Sequence, residues 1–158
     1  LLALIVFIAA SVTDSLDGYL ARKNSQVTTF GKFLDPLADK ILVLSAMISF
    51  IELGLCGSLV VVIMIAREFM VTSLRLVAVS GDGTVIAAGM LGKVKTAVQM
   101  VSIVLILILC MLSEWSLLPA FVSVPVIAEV LMWVSAVLSV VSGAQYIWKN
   151  RTAIGQMK

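Results

Sequence analysis

Apolar residues run in five long blocks separated by short polar breaks: Leu1 to about Ala21, about Leu34 to Leu53, Ser58 to about Val79, about Ala88 to Leu112, and about Val122 to Trp148. Each block approaches or exceeds the roughly 20 residues that an α-helix needs to cross a bilayer. The pattern predicts an all-α, polytopic transmembrane helix bundle of five spans. Between the first two blocks, Lys23 to Thr29 is polar and reads as a short connection. The glycines of E-L-G-L-C-G and of S-G-D-G-T suit tight turns after the second and third blocks. Pro36 interrupts the second block; it lacks an amide donor and clashes with the preceding turn, so the helix either begins near Leu34 or kinks at the proline.

Composition agrees with the pattern. Of 158 residues, 61% are hydrophobic and 13% charged, against about 25% charged in a typical soluble domain. All eleven Lys and Arg lie in or beside three segments, Arg22 to Lys40, Arg67 to Lys95, and Lys149 to Lys158, while the turns near 53–58 and 113–122 have none. The positive-inside rule puts the three basic segments in the cytoplasm and the two bare turns outside. A net charge of +2 suits attraction to anionic membrane lipid and gives no reason to expect a nucleic-acid partner. The chain opens on Leu1 inside an apolar run without an initiator Met, so a preceding N-terminal segment is expected; no basic stretch marks residues 1–10 as a signal peptide. Residues 1–158 are taken as a single membrane-embedded domain lacking that segment.

The polar residues inside the spans carry the chemistry. Asp14 and Asp17 are three apart, and Asp35 and Asp39 four apart, so on helices each pair occupies one face. Gly18, Ala21 and Gly31 continue those faces with almost no side chain, which lets a bulky group approach the backbone. Charged groups in a membrane segment cost roughly 2.5–3.5 kcal/mol each on insertion scales, so they face a cavity or a partner and mark function. Two acidic pairs offer hard oxygen ligands to Mg²⁺ or Mn²⁺, and two such ions can clamp a diphosphate. The chain has no histidine, which excludes Ser-His-Asp and Cys-His catalysis and leaves an aspartate as proton acceptor. Cys56 and Cys110 have no paired spacing and read as apolar filler.

Arg67 falls about 13 Å along its span, near mid-membrane, where it serves either a helix–helix ion pair or the cationic wall of an anion-binding cavity. Glu68 is seven residues before Arg75 and could pair with it. Lys93 and Lys95 lie about 200° apart on a helix, so one of them faces the acidic site, and Lys93 is chosen. Tyr146, Trp148 and Trp115 read as interfacial anchors. Neither glycine-rich turn matches a dinucleotide or phosphate-loop pattern.

The series Asp14, Asp17, Gly18, Ala21, Arg22, Gly31, Asp35, Asp39 follows D-x2-D-G-x2-A-R-x8-G-x3-D-x3-D without a departure. It resembles the signature of the CDP-alcohol phosphatidyltransferases. I-A-R-E at 65–68, S-L-R at 73–75 and G-K-V-K-T-x2-Q at 92–99 are similar to the bacterial phosphatidylglycerophosphate synthase branch of that family. The resemblance implies transfer of the phosphatidyl group of CDP-diacylglycerol to glycerol 3-phosphate, with release of CMP. It implies two Mg²⁺ or Mn²⁺ ions held by Asp14, Asp17, Asp35 and Asp39, with Asp39 also taking the proton of the acceptor hydroxyl. Gly18, Ala21, Arg22 and Gly31 would form the nucleotide site, and Arg67, Arg75 and Lys93 would hold the acceptor phosphate. It further implies a homodimer in the bacterial inner membrane, a cytoplasmic active site, and six spans of which the first is missing. Two alternatives stay open: a relative that uses inositol phosphate or a second lipid as acceptor, and a divalent-cation channel or transporter. A channel predicts acids spread through the membrane depth, whereas these four cluster at one end.

Overall fold

The computed structural model describes residues 1–23, 29–80, 90–119 and 121–151, and the side chains among them except those of 14–23, 29–39 and 75–80. Five helices follow in order: α1 Leu2–Lys23, α2 Thr29–Glu52, α3 Ser58–Ser80, α4 Met90–Glu114 and α5 Val124–Lys149. They coincide with the five apolar blocks. The largest difference is at α2, which begins at Thr29 and runs through Pro36 rather than starting at Leu34. A proline inside a membrane helix is tolerated because neighbouring helices and side chains re-satisfy the freed carbonyl.

The helices form an all-α membrane bundle in which α5 packs on α4 and α3, α2 packs on α1, α3 and α4, and α1 also touches α4. Met47, Phe50, Val60, Met64, Ile103, Ile106 and Met132 fill the interior. The outward faces are as apolar as the core, with Ile41, Ile48, Leu59, Val62, Val101, Val130 and Val137 exposed. Polar groups are meanwhile buried, among them Lys95, Gln99, Ser102, Ser135, Ser139 and Ser142. Water would not sustain that arrangement, and hydrocarbon does. Among the described residues, α4 and α5 are each long and apolar enough to cross a membrane, and only a minor share of either is buried within the chain.

Lipid tails give apolar side chains no reason to associate, so the helices are joined through small and hydroxylated residues. On α5, Ala128, Ser135, Ala136, Ser139, Ser142 and Gly143 form the buried stripe. Ser135 Oγ donates to Ser102 Oγ at 3.1 Å, bonding α5 to α4 in the bundle interior.

The two turns without basic residues lie on the same side, as expected. Gly54 closes α2 in the left-handed conformation, φ 67°, while Leu55 N–H bonds Phe50 O at 2.8 Å and Gly54 N–H bonds Ile51 O at 3.0 Å. This is a Schellman closure, completed by apolar contact between buried Leu55 and Phe50. The same closure ends α4 at Ser116, φ 54°, with Leu117 N–H on Leu112 O and Ser116 N–H on Ser113 O, both at 3.0 Å. Glu129 of α5 ties the turns together, accepting Gly57 N–H at 2.7 Å and Trp133 Nε1–H at 2.8 Å. Its negative charge sits at the start of α3, where unpaired amides favour an anion. Cys56 and Cys110 are free and packed with the core. Trp115 and Trp148 are exposed at opposite ends of the bundle, but Tyr146, expected beside Trp148, is turned into the bundle.

Candidate active site

The four aspartates belong to two helices that pack against each other. Asp17 is six residues before the end of α1 and Asp35 six after the start of α2; Asp14 and Asp39 are nine and ten residues from the same ends. By residue count, Asp17 and Asp35 lie about 9 Å, and Asp14 and Asp39 about 14 Å, along their helices from those ends. Four carboxylates on two adjacent helices make a donor set of hard oxygens, which suits Mg²⁺ or Mn²⁺. Their side chains lie outside the described residues, as do those of Gly18, Ala21, Arg22, Gly31 and Arg75. Among the described side chains, no group of three potential metal ligands converges.

Lys40 reaches across to α3 and donates to Thr72 Oγ1. Beside it a cavity of about 50 Å³ opens between α2, α3 and α4, with Lys40, Glu68, Lys95 and Gln99 among its polar wall and Met47 and Met100 among its apolar one. Glu68 Oε1 accepts from Arg67 Nη1 at 2.9 Å and also from Lys95 Nζ. Gln99, a turn deeper than Lys95 on α4, is buried against Met47. Two cations on one carboxylate offset much of the desolvation that each charge would suffer alone.

These contacts bear on three sequence expectations. Glu68 pairs with Arg67 and with Lys95 of α4, while its expected partner Arg75 has its side chain outside the described residues. The lysine facing inward is Lys95, which is buried, whereas Lys93 is exposed. The signal for this was present: Lys95, Gln99 and Ser102 follow at i, i+4 and i+7 on one face of an apolar helix, while the face of Lys93 continues with Ala97 and Met100. Arg67 joins helices by hydrogen bonds rather than by the helix–helix ion pair foreseen as one of its two roles, its ion pair being with Glu68 on its own helix. Its Nε donates to Ser139 O at 2.8 Å and its Nη2 to Ser142 Oγ, both on α5.

Comparison with known proteins bears directly on this arrangement. A family model described as CDP-alcohol phosphatidyltransferase matches residues 1–141, which include all four aspartates. The chain is 47% identical over 150 residues to a CDP-diacylglycerol–glycerol-3-phosphate 3-phosphatidyltransferase of Bacillus subtilis, covering 95% of this chain and 74% of the relative. Relatives of the same name from Shigella flexneri and Rickettsia felis are 38% and 35% identical, each covering 92% of this chain and 76% of the relative. With its aspartates carried on two packed helices, and with similarity along nearly its whole length, the chain belongs to the CDP-alcohol phosphatidyltransferase family.

Proposed function

We infer that this membrane enzyme transfers the phosphatidyl group of CDP-diacylglycerol to glycerol 3-phosphate, forming phosphatidylglycerophosphate and CMP. The observation that carries the reading is the similarity to glycerol-3-phosphate phosphatidyltransferases across 92–95% of the chain, aspartate helices included. The acceptor's free hydroxyl oxygen attacks the phosphorus that bears the diacylglycerol. The bond from that phosphorus to the bridging oxygen breaks, and CMP leaves with its electron pair.

Asp14, Asp17, Asp35 and Asp39 would hold two Mg²⁺ or Mn²⁺ ions, which when bound supply charge neutralisation at the diphosphate and at the departing CMP oxygen. Asp39 takes the hydroxyl proton, since no histidine is available for it. Gly18, Ala21 and Gly31 leave space for the cytidine against the helix backbones, and Arg22 meets a phosphate or the base. The acceptor phosphate falls to basic residues of α3 and α4, with Arg75 and Lys93 towards the cytoplasmic ends and Arg67 supporting from deeper in α3. The distribution of the basic segments supports a site that faces the cytoplasm, in a bacterial inner membrane. Residues 1–158 work as one membrane-embedded domain, in a homodimer surrounded by membrane lipids.

The purified chain in detergent, given CDP-diacylglycerol, glycerol 3-phosphate and Mg²⁺ or Mn²⁺, is expected to release CMP. No release with either metal, or release only with inositol phosphate or a lipid acceptor, would overturn this reading.

A further inference from the structure

Gly143 explains how Arg67 reaches its partners. A Cβ at position 143 would stand 3.1 Å from both Cγ and Nε of Arg67, so the arginine side chain lies directly across the α5 backbone and would have to give way to any larger residue there. Laid there, its guanidinium is held by Ser139 O and Ser142 Oγ, and one Nη remains to bind Glu68 Oε1. The same carboxylate oxygen receives Lys95 Nζ. Lys95 is 4% exposed and lines the cavity; Arg67 is not among the cavity's described lining residues. Arg67 therefore influences the cavity through Glu68. Among the described charges here, two cations (Lys40, Lys95) and one anion (Glu68) line the cavity, and Glu68 is bound by Lys95 and, from behind, by Arg67. The surplus favours an anionic guest beside the helix segment that carries Asp39.

We propose that Gly143, Arg67 and Glu68 form a positioning relay that fixes the Lys95 ammonium at the cavity wall, where it meets the phosphate of the acceptor. The inference rests on the glycerol 3-phosphate reading above and adds Lys95, beside Lys93, to the residues that hold the acceptor phosphate. Glu68 holds the ammonium without neutralising the whole cluster, so Lys95 keeps a fixed place and the cavity keeps its positive surplus. A free lysine would lose several rotatable bonds on each encounter; a tethered one has already lost them.

The test is CMP release by the purified full chain, with each substrate varied at saturation of the other. Gly143→Ala and Glu68→Gln are each expected to raise the KM for glycerol 3-phosphate about fivefold or more, and Lys95→Ala about tenfold or more, with the KM for CDP-diacylglycerol within about twofold of wild type. A double variant, Glu68→Lys with Lys95→Glu, restores an ion pair between α3 and α4 but turns a carboxylate towards the cavity. It is expected to recover the thermal midpoint lost in the single variants while leaving the KM for glycerol 3-phosphate at least about tenfold high. Recovery of that KM by the double variant, an equal rise of both KM values in the single variants, or no rise in either would overturn the relay alone. Absence of wild-type CMP release with glycerol 3-phosphate would overturn the functional reading and the relay with it.

Discussion

The two ends of this bundle use polar groups for different purposes. At the end formed by the α2–α3 and α4–α5 turns, the turn residues and Glu129 complete helices: Gly54 and Ser116 close α2 and α4, and Glu129 satisfies the first amide before α3. At the other end, Asp14, Asp17, Asp35 and Asp39 lie on the helices that lead to Lys40, Glu68 and Lys95, and charge is concentrated well beyond what helix closure needs. One end is built for stability and the other tolerates electrostatic cost for chemistry. Substitutions at the two ends should accordingly separate into those that change turnover and those that change unfolding.

The sharpest way to break this contrast is Asp39→Asn. It should lower CMP release by about 10²-fold or more, as expected when a general base is removed, with little change in thermal midpoint; a large loss of stability would place Asp39 among the structural residues instead. Met132→Ala, in the core between the ends, should destabilise by about 2–5 kcal/mol through the cavity it leaves. Its KM values should stay near wild type when turnover is measured well below the midpoint. Glu129→Ala removes the partner of both Gly57 N–H and Trp133 Nε1–H and should cost about 1–2 kcal/mol in a chemical unfolding series in detergent, without a change in KM. The smallest effect is a gain: Ser116→Gly relieves a left-handed residue and should stabilise by about 0.5–1 kcal/mol.

The turn end also affects Cys56. Burial, reinforced by the negative charge of Glu129, pushes its thiol above the ordinary value, so less of it is thiolate at any given pH.

The five helices were legible because spans of this length and apolarity have no other stable form in a bilayer. The shared side of the two bare turns was legible from the distribution of lysine and arginine, and is seen in the bond from Gly57 to Glu129. The start of α2 was not, because Pro36 signals a boundary in water but is accommodated among packed membrane helices. The aspartates were found from spacing on single helices. The pair of Glu68 with Lys95 joins residues 27 apart on different helices, and no local pattern announces which carboxylate meets which amine. What spacing did hold was the polar stripe of Lys95, Gln99 and Ser102, which distinguishes Lys95 from Lys93 once periodicity is followed along α4.

The bond from Ser135 to Ser102 has a consequence for how these helices move. Turning either helix by one residue, about 100°, would exchange a hydroxyl for a hydrocarbon group at the crossing and leave the opposite hydroxyl stranded in an oily interior. Rotation about the long axis is therefore a jump between unequal states rather than a smooth drift, and the azimuth of α4, with every side chain it carries towards the catalytic end, is indexed from the middle of the bundle.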